Sequence, residues 1–150
     1  MNESKVKYLI VGAYAVSLYA QPRATKDLDI FIKPDLANAR AAFAALKKFG
    51  APLGNLKPRD LIEPGKFFRM GVAPIMVDIF PEITGLDFDA AWKNREVAAV
   101  DGKNGLKANF ISEEDLITAK IAVGRSQDLA DVDALRTVKT GYKKTAKKRR

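Results

Sequence analysis

The chain has 150 residues, 47% of them hydrophobic, with no cysteine, no histidine and a formal net charge of +8. That size and apolar content match one globular domain able to bury a core, and the missing residue types exclude disulfides, thiolate or imidazole metal sites and histidine-based triads. Any metal must then rest on oxygen ligands, which favours Mg²⁺ or Mn²⁺ over Zn²⁺, and a chain without disulfides suits the cytoplasm. Seven of the positive charges lie between Lys139 and Arg150, where there is no acid, so a body at residues 1–138 with a net charge of about +1 carries a basic tail at 139–150. Such a tail can hold nucleic-acid phosphates without reading sequence, or simply be solvated.

Val6 to Val11 reads as a buried strand. The apolar run around it has the look of a signal peptide, but two tyrosines and Gly12 interrupt it, and it is too short to span a bilayer; no membrane association is expected. Tyr14 to Ala20 reads as a short helix ended by Pro22, and Arg23 to Lys26 as a loop feeding a strand at Asp27 to Ile32. Pro34 and Asp35 open a helix with Leu36, Phe43 and Leu46 as its apolar stripe, and Gly50 stops it. Ala51 to Gly65 holds three of the seven prolines and is expected to be an irregular loop, with Lys57, Arg59 and Lys66 as solvated charge or the lining of a substrate entrance.

Phe67 to Val72 and Ile75 to Phe80 follow as two strands joined by a turn at Gly71 to Pro74. Phe88 to Arg95 is a short helix with Trp92 expected in the core, and Val97 to Val100 with Leu106 to Phe110 flank DGKNG as a hairpin. Ser112 with Asp115 caps a helix that runs through Leu116, Ile117 and Ile121 to Gly124. A last helix runs from Gln127 to about Val138, with Leu129, Val132 and Leu135 at helical spacing. The pattern as a whole is an α/β (α+β) domain: a small mixed sheet, helices packed mainly on one face, and no second domain.

The chemistry concentrates in DLDIFI. Strand side chains alternate between faces, so Asp27 and Asp29 point the same way and can share a divalent cation. The apolar residues that follow place them on a central strand, where two solvated acids would be out of place. Upstream, Gly12 lets backbone approach closely, and a helix starting there aims free N–H groups at an anion. A phosphate site beside a metal site points to nucleotide chemistry. Asp78 stands alone in the apolar strand IMVDIF and needs a partner if buried, either Arg69 on the facing strand or a metal; spacing leaves the two open.

The pattern G-A-Y-A-V followed by R-A-T-K-D-L-D-I resembles the nucleotidyltransferase superfamily of the DNA polymerase β type, and within it the small bacterial AbiEii toxin and MNT branches. The resemblance implies a polymerase β-like fold and transfer of a nucleoside monophosphate from an NTP to a hydroxyl of RNA (tRNA) or protein, in a toxin–antitoxin or defence setting. It implies that Asp27, Asp29 and Asp78 hold Mg²⁺ or Mn²⁺ and form the catalytic set, with Asp78 helping to deprotonate the acceptor. Gly12 and Ala13 would form the turn that faces the phosphates. Ala13 departs from the Ser or Gly usual there: it offers a backbone N–H but no hydroxyl. Arg23, just before the aspartates, would contact phosphates or, as a structural group, neutralise the carboxylates. LITAKIAVGRSQDLADVDAL resembles the later motifs of the AbiEii-like group at Lys120, Arg125, Asp128 and Asp131, with Lys120 suited to the nucleotide phosphates. Two rivals stand beside this reading: an MNT-type antitoxin acting on a partner toxin, and a degenerate nucleotide- or RNA-binding module.

Overall fold

The computed structural model describes residues 2, 4–20, 27–72, 75–101, 103 and 105–148, with backbone alone for residue 101 and residues 139–148. Strand β1, Tyr8–Val11, is four buried apolar residues and so sits in the middle of a sheet. At Gly12 the chain takes φ +67° and passes straight into helix α1, Gly12–Tyr19. Strand β2, Asp27–Ile32, is half-buried over its first three residues and buried over its last three, so it runs from a rim into the core. It pairs antiparallel with β1, bringing Val11 opposite Asp29.

Helix α2, Leu36–Phe49, starts where the Asp35 carboxylate accepts the Asn38 N–H at 2.7 Å, and it ends at Gly50 in the left-handed conformation. Its buried face is Asn38, Ala39, Ala42 and Leu46, while Leu36 is exposed, so the stripe is rotated from the one expected. Asn38 explains the rotation. Its Oδ1 accepts the Lys7 N–H at 2.8 Å, and its Nδ2 donates to the Lys7 and Lys33 carbonyls at 3.0 and 2.9 Å. The side chain therefore ties α2 to the approach to β1 and the exit of β2. The stretch expected to be irregular contains a 3₁₀ turn, Pro58–Ile62, where Pro58 presets the first turn and Leu61 is buried.

Strands β3, Phe68–Val72, and β4, Ile75–Phe80, pair antiparallel, and β4 lies parallel to β2. Residues 73 and 74 of the expected turn lie outside the described residues, as do 102 and 104 of DGKNG. Helix α3, Phe88–Lys93, is capped by Asp87; strands β5, Glu96–Asp101, and β6, Leu106–Phe110, form the expected antiparallel pair. Trp92 is only partly buried: it stacks on Phe88 and carries the Arg95 guanidinium 3.8 Å above its ring. Helix α4, Glu113–Val123, is capped by the Ser112 hydroxyl, which accepts the Asp115 N–H at 3.1 Å. Helix α5, Ser126–Lys148, extends beyond the end expected near Val138.

The sheet is mixed, in the order β3-β4-β2-β1-β6-β5, with β1/β6 and β2/β4 parallel. The fully buried large side chains among the described residues are Leu9, Phe31, Ile32 and Ile79 from the sheet, and Ile111, Leu116 and Leu135 from the segment and helices after it. Helices α1, α4 and α5 pack on one another, while Ile121 and Leu129, expected in their apolar stripes, are exposed. Among the described residues no helix is long and apolar enough to cross a membrane.

Candidate active site

The site begins with a register. Because Val11 faces Asp29 across β1 and β2, the next residue, Gly12, lies directly against the aspartate. A Cβ on Gly12 would fall 2.4 Å from Asp29 Oδ2 and 3.2 Å from its Cβ and Cγ. Glycine is thus required twice, for its positive φ and for the space Asp29 fills. No side-chain hydrogen bond caps the N-terminus of α1 at Val11, and helix N–H groups left without a cap are those an anion can use. Ala13 sits in that turn.

The parallel pairing of β2 and β4 brings Asp78 beside Asp29, and strand alternation puts Asp27 on the same face. Asp27 is at the rim, Asp29 half-buried and Asp78 buried. Burial, followed by the charges of Asp78 and Asp27, pushes the Asp29 carboxyl up to about 6, with Lys120 and Arg69 acting in the opposite direction. Asp29 is therefore crowded by one buried acid and one at the rim, and extra positive charge there would be stabilising.

Arg69 supplies part of it. Antiparallel pairing of β3 with β4 sets Arg69 opposite Asp78. Its Nε donates to Oδ1 at 2.7 Å and its Nη2 to Oδ2 at 2.8 Å, while Nη2 stands 3.9 Å from Asp27 Oδ2. Of the two partners open to Asp78 from spacing, the arginine is thus in place. Among the described residues no group of three or more acidic side chains is arranged to hold a metal ion by itself. A cation could still be bound by Asp27 and Asp29 with the phosphates of a nucleotide, which is how Mg²⁺ is commonly held.

The second half of the site comes from α4 and α5. Lys120 is buried, with Nζ 2.9 Å from Asp131 Oδ2 and 3.4 Å from Asp128 Oδ1. Arg125 Nε donates to Asp128 Oδ2 at 2.7 Å, and Gln127 Nε2 donates to Asp131 Oδ1 at 3.2 Å. Burial pushes the Asp128 carboxyl up, but the hydrogen bond from Arg125 and the charge of Lys120 outweigh it and hold it below its ordinary range.

Gly12, Asp29, Lys120, Arg125 and Asp128 line one cleft of about 240 Å³. Asp27 and Ala13 stand beside it and Asp78 lies beneath Arg69, whereas Arg23 falls outside the described residues. Sequence reasoning missed Glu82, Ile83, Thr84 and Leu86, which form a wall of this cleft and of an adjoining space of about 510 Å³ that reaches Phe67. Their position directly after the Asp78 strand was the available signal, since loops leaving such strands build sites.

Acids brought together from two parallel neighbours, over a glycine that opens a helix, place the protein with the nucleotidyltransferases. Residues 1–140 match the family described as "Nucleotidyltransferase of unknown function (DUF6036)", and the chain belongs to that family. Among solved structures, the lincomycin-bound lincosamide antibiotic adenylyltransferase LnuA has a similar fold, with a TM-score of 0.56 over 91% of this chain and 90% of that one, at 15% sequence identity. No curated protein matches the sequence. Membership of the superfamily, and the mixed α/β fold that it implied, are thereby borne out.

Proposed function

We propose that the protein moves a nucleoside monophosphate from an NTP to a hydroxyl acceptor. The observation that carries this is the crowding of Asp29 by Asp27 and Asp78 directly over the N-terminus of α1. Such a centre suits a divalent cation, and Asp27 and Asp29, joined by Asp78, are the residues that would hold Mg²⁺ or Mn²⁺. When bound, the cation would neutralise charge on the nucleotide phosphates. The N–H groups of Gly12 and Ala13 bind phosphate oxygens, and Lys120 adds positive charge from the far wall. Lys120 stays in place because Asp131 and Asp128 fix its ammonium. The acceptor oxygen attacks the α-phosphorus in line, the bond to pyrophosphate breaks, and the acceptor's proton passes to a carboxylate. Asp78 can take that proton only when Arg69 releases it.

The acceptor is RNA (tRNA) or protein in the reading that follows the resemblance. The adjoining space of about 510 Å³ supports a second reading, a small hydroxyl-bearing molecule, since ligand sites typically span roughly 300–1,000 Å³. The fold neighbour's printed name, an antibiotic adenylyltransferase, agrees with that choice.

Label transfer from each α-³²P-NTP with Mg²⁺ or Mn²⁺ tests the proposal, with total RNA, lysate protein and a small-molecule extract as acceptors. Label on one acceptor class, lost in Asp29→Asn, is expected. No label from any NTP on any acceptor, by a folded wild-type chain, would sink the transfer reading and leave the degenerate binding module.

A further inference from the structure

We propose that Arg69 is a displaceable counter-cation: it holds Asp78 while the site lacks a nucleotide and gives it up to the divalent cation when the nucleotide arrives. The inference rests on the nucleotidyl-transfer reading of the site. Its basis is the way the guanidinium spans the acids, with two hydrogen bonds to Asp78 at 2.7 and 2.8 Å and a third approach to Asp27 at 3.9 Å. Arg69 thus binds both Asp78 oxygens and bridges to a second carboxylate, the bridging part that a cation between these strands would play.

Burial decides which partner can move. The Asp78 side chain is 4% exposed, so it cannot be left without positive charge, whereas that of Arg69 is 49% exposed and stays solvated when it lets go. A released Arg69 also has somewhere to rest, because its guanidinium already lies 5.7 Å from the Phe67 ring centroid, beside the adjoining space. The exchange is one cation for another and leaves the charge on Asp78 balanced throughout. Its consequence is ordered loading: metal alone competes poorly with the arginine, and metal brought with a triphosphate competes well.

The test is Mn²⁺ binding to the full chain without nucleotide, followed by the electron paramagnetic resonance of free Mn²⁺. Arg69→Met is expected to bind Mn²⁺ more tightly than wild type by on the order of tenfold, the value of a lost charge-assisted hydrogen bond. Arg69→Lys, which keeps the charge but not the fork, falls between the two. Adding Asp78→Asn to Arg69→Met abolishes the gain. Arg69→Met with a native circular dichroism spectrum and wild-type Mn²⁺ affinity overturns the proposal, as does a gain that survives Asp78→Asn. Should the variants fail to fold, the Arg69 Nε–H resonance of ¹⁵N-arginine-labelled wild type decides. It must shift when Mg²⁺ and an α,β-methylene NTP analogue are added together, and an unchanged resonance at saturation overturns the proposal. A wild type that transfers no label yet shows the Mn²⁺ effect would sink the nucleotidyl-transfer reading and leave the counter-cation standing.

Discussion

Gly12→Ala separates the two demands made on that glycine. The left-handed backbone alone costs a residue with a Cβ about 1–2 kcal/mol. The new methyl would also meet Asp29 Oδ2 at 2.4 Å and both Cβ and Cγ of the same side chain at 3.2 Å. Rotating the carboxylate cannot relieve all three contacts, so β2 or the helix start has to shift. Gly50→Ala is the matched control: its φ is +94°, yet nothing lies within 4 Å of an added Cβ. Urea denaturation is expected to show losses of about 1–2 kcal/mol for both variants, somewhat more for Gly12→Ala. Transfer activity separates them. A displacement of about 1 Å at a catalytic group costs on the order of a hundredfold, so Gly12→Ala falls by roughly that factor while Gly50→Ala keeps wild-type rates. If Gly12→Ala retains activity equal to that of Gly50→Ala, Asp29 is not where the chemistry occurs.

Asp29 also predicts a pH signature. Its carboxyl is raised from 3.8 to about 6, so its contribution to stability is complete below about pH 4 and is lost as pH rises through 6. Asp29→Asn should melt higher than wild type at pH 7.5 in chelator, with the gap closing towards pH 4; a gap equal at both values would refute the charge crowding. Lys120→Met removes the buried cation shared by Asp128 and Asp131 and should cost about 3 kcal/mol or more in urea unfolding, while Arg125→Ala, at a side chain 76% exposed, should cost under about 1 kcal/mol. Equal losses would show that the buried network carries no special weight. Asn38→Ala orphans backbone groups of Lys7 and Lys33 and should cost about 2 kcal/mol, with Asn38→Asp no better because it cannot donate. Chemical denaturation within about 0.5 kcal/mol of wild type would contradict the bridging role.

β2 and β4 were legible to the residue, because apolar runs bounded by charge or proline leave little freedom in where a strand begins. The caps at Asp35 and Ser112 and the glycine stops at Gly50 and Gly124 were legible for the same local reason. What depended on register was not. Alternation placed Asp78 and Arg69 on facing strands but could not set one opposite the other, so arginine and metal stayed level until the β3/β4 pairing was known. Asn38 among alanines carried no sign that three backbone groups converge on it, and its pull turned Leu36 outward. Ile121 and Leu129 continue a helical period, yet α4 and α5 meet through Lys120, Asp128 and Asp131, with Leu116 and Leu135 as their buried apolar residues, and a buried ion network has no hydropathy signal. Lys120 and the Asp128–Asp131 pair were found through the resemblance; their mutual contact came from the fold.

The parallel pairing of Ile10 with Phe110, extended by the bond from the Ile111 N–H to the Ile10 carbonyl at 3.1 Å, has a consequence for synthesis. A chain emerging from its N-terminus completes the β1/β2 ladder early, with the acids of β2 already in register, but one edge of β1 has no neighbour until residue 110 is made. Over that interval a buried-type strand, YLIV, presents bare N–H and C=O groups to any passing strand. Fragments that stop before Phe110 should therefore aggregate through that edge, and fragments that reach it while lacking α4 and α5 should close the sheet but leave the cleft without Lys120 and its far wall. Nucleotide binding on stalled nascent chains would consequently switch on only after α5 has cleared the ribosome.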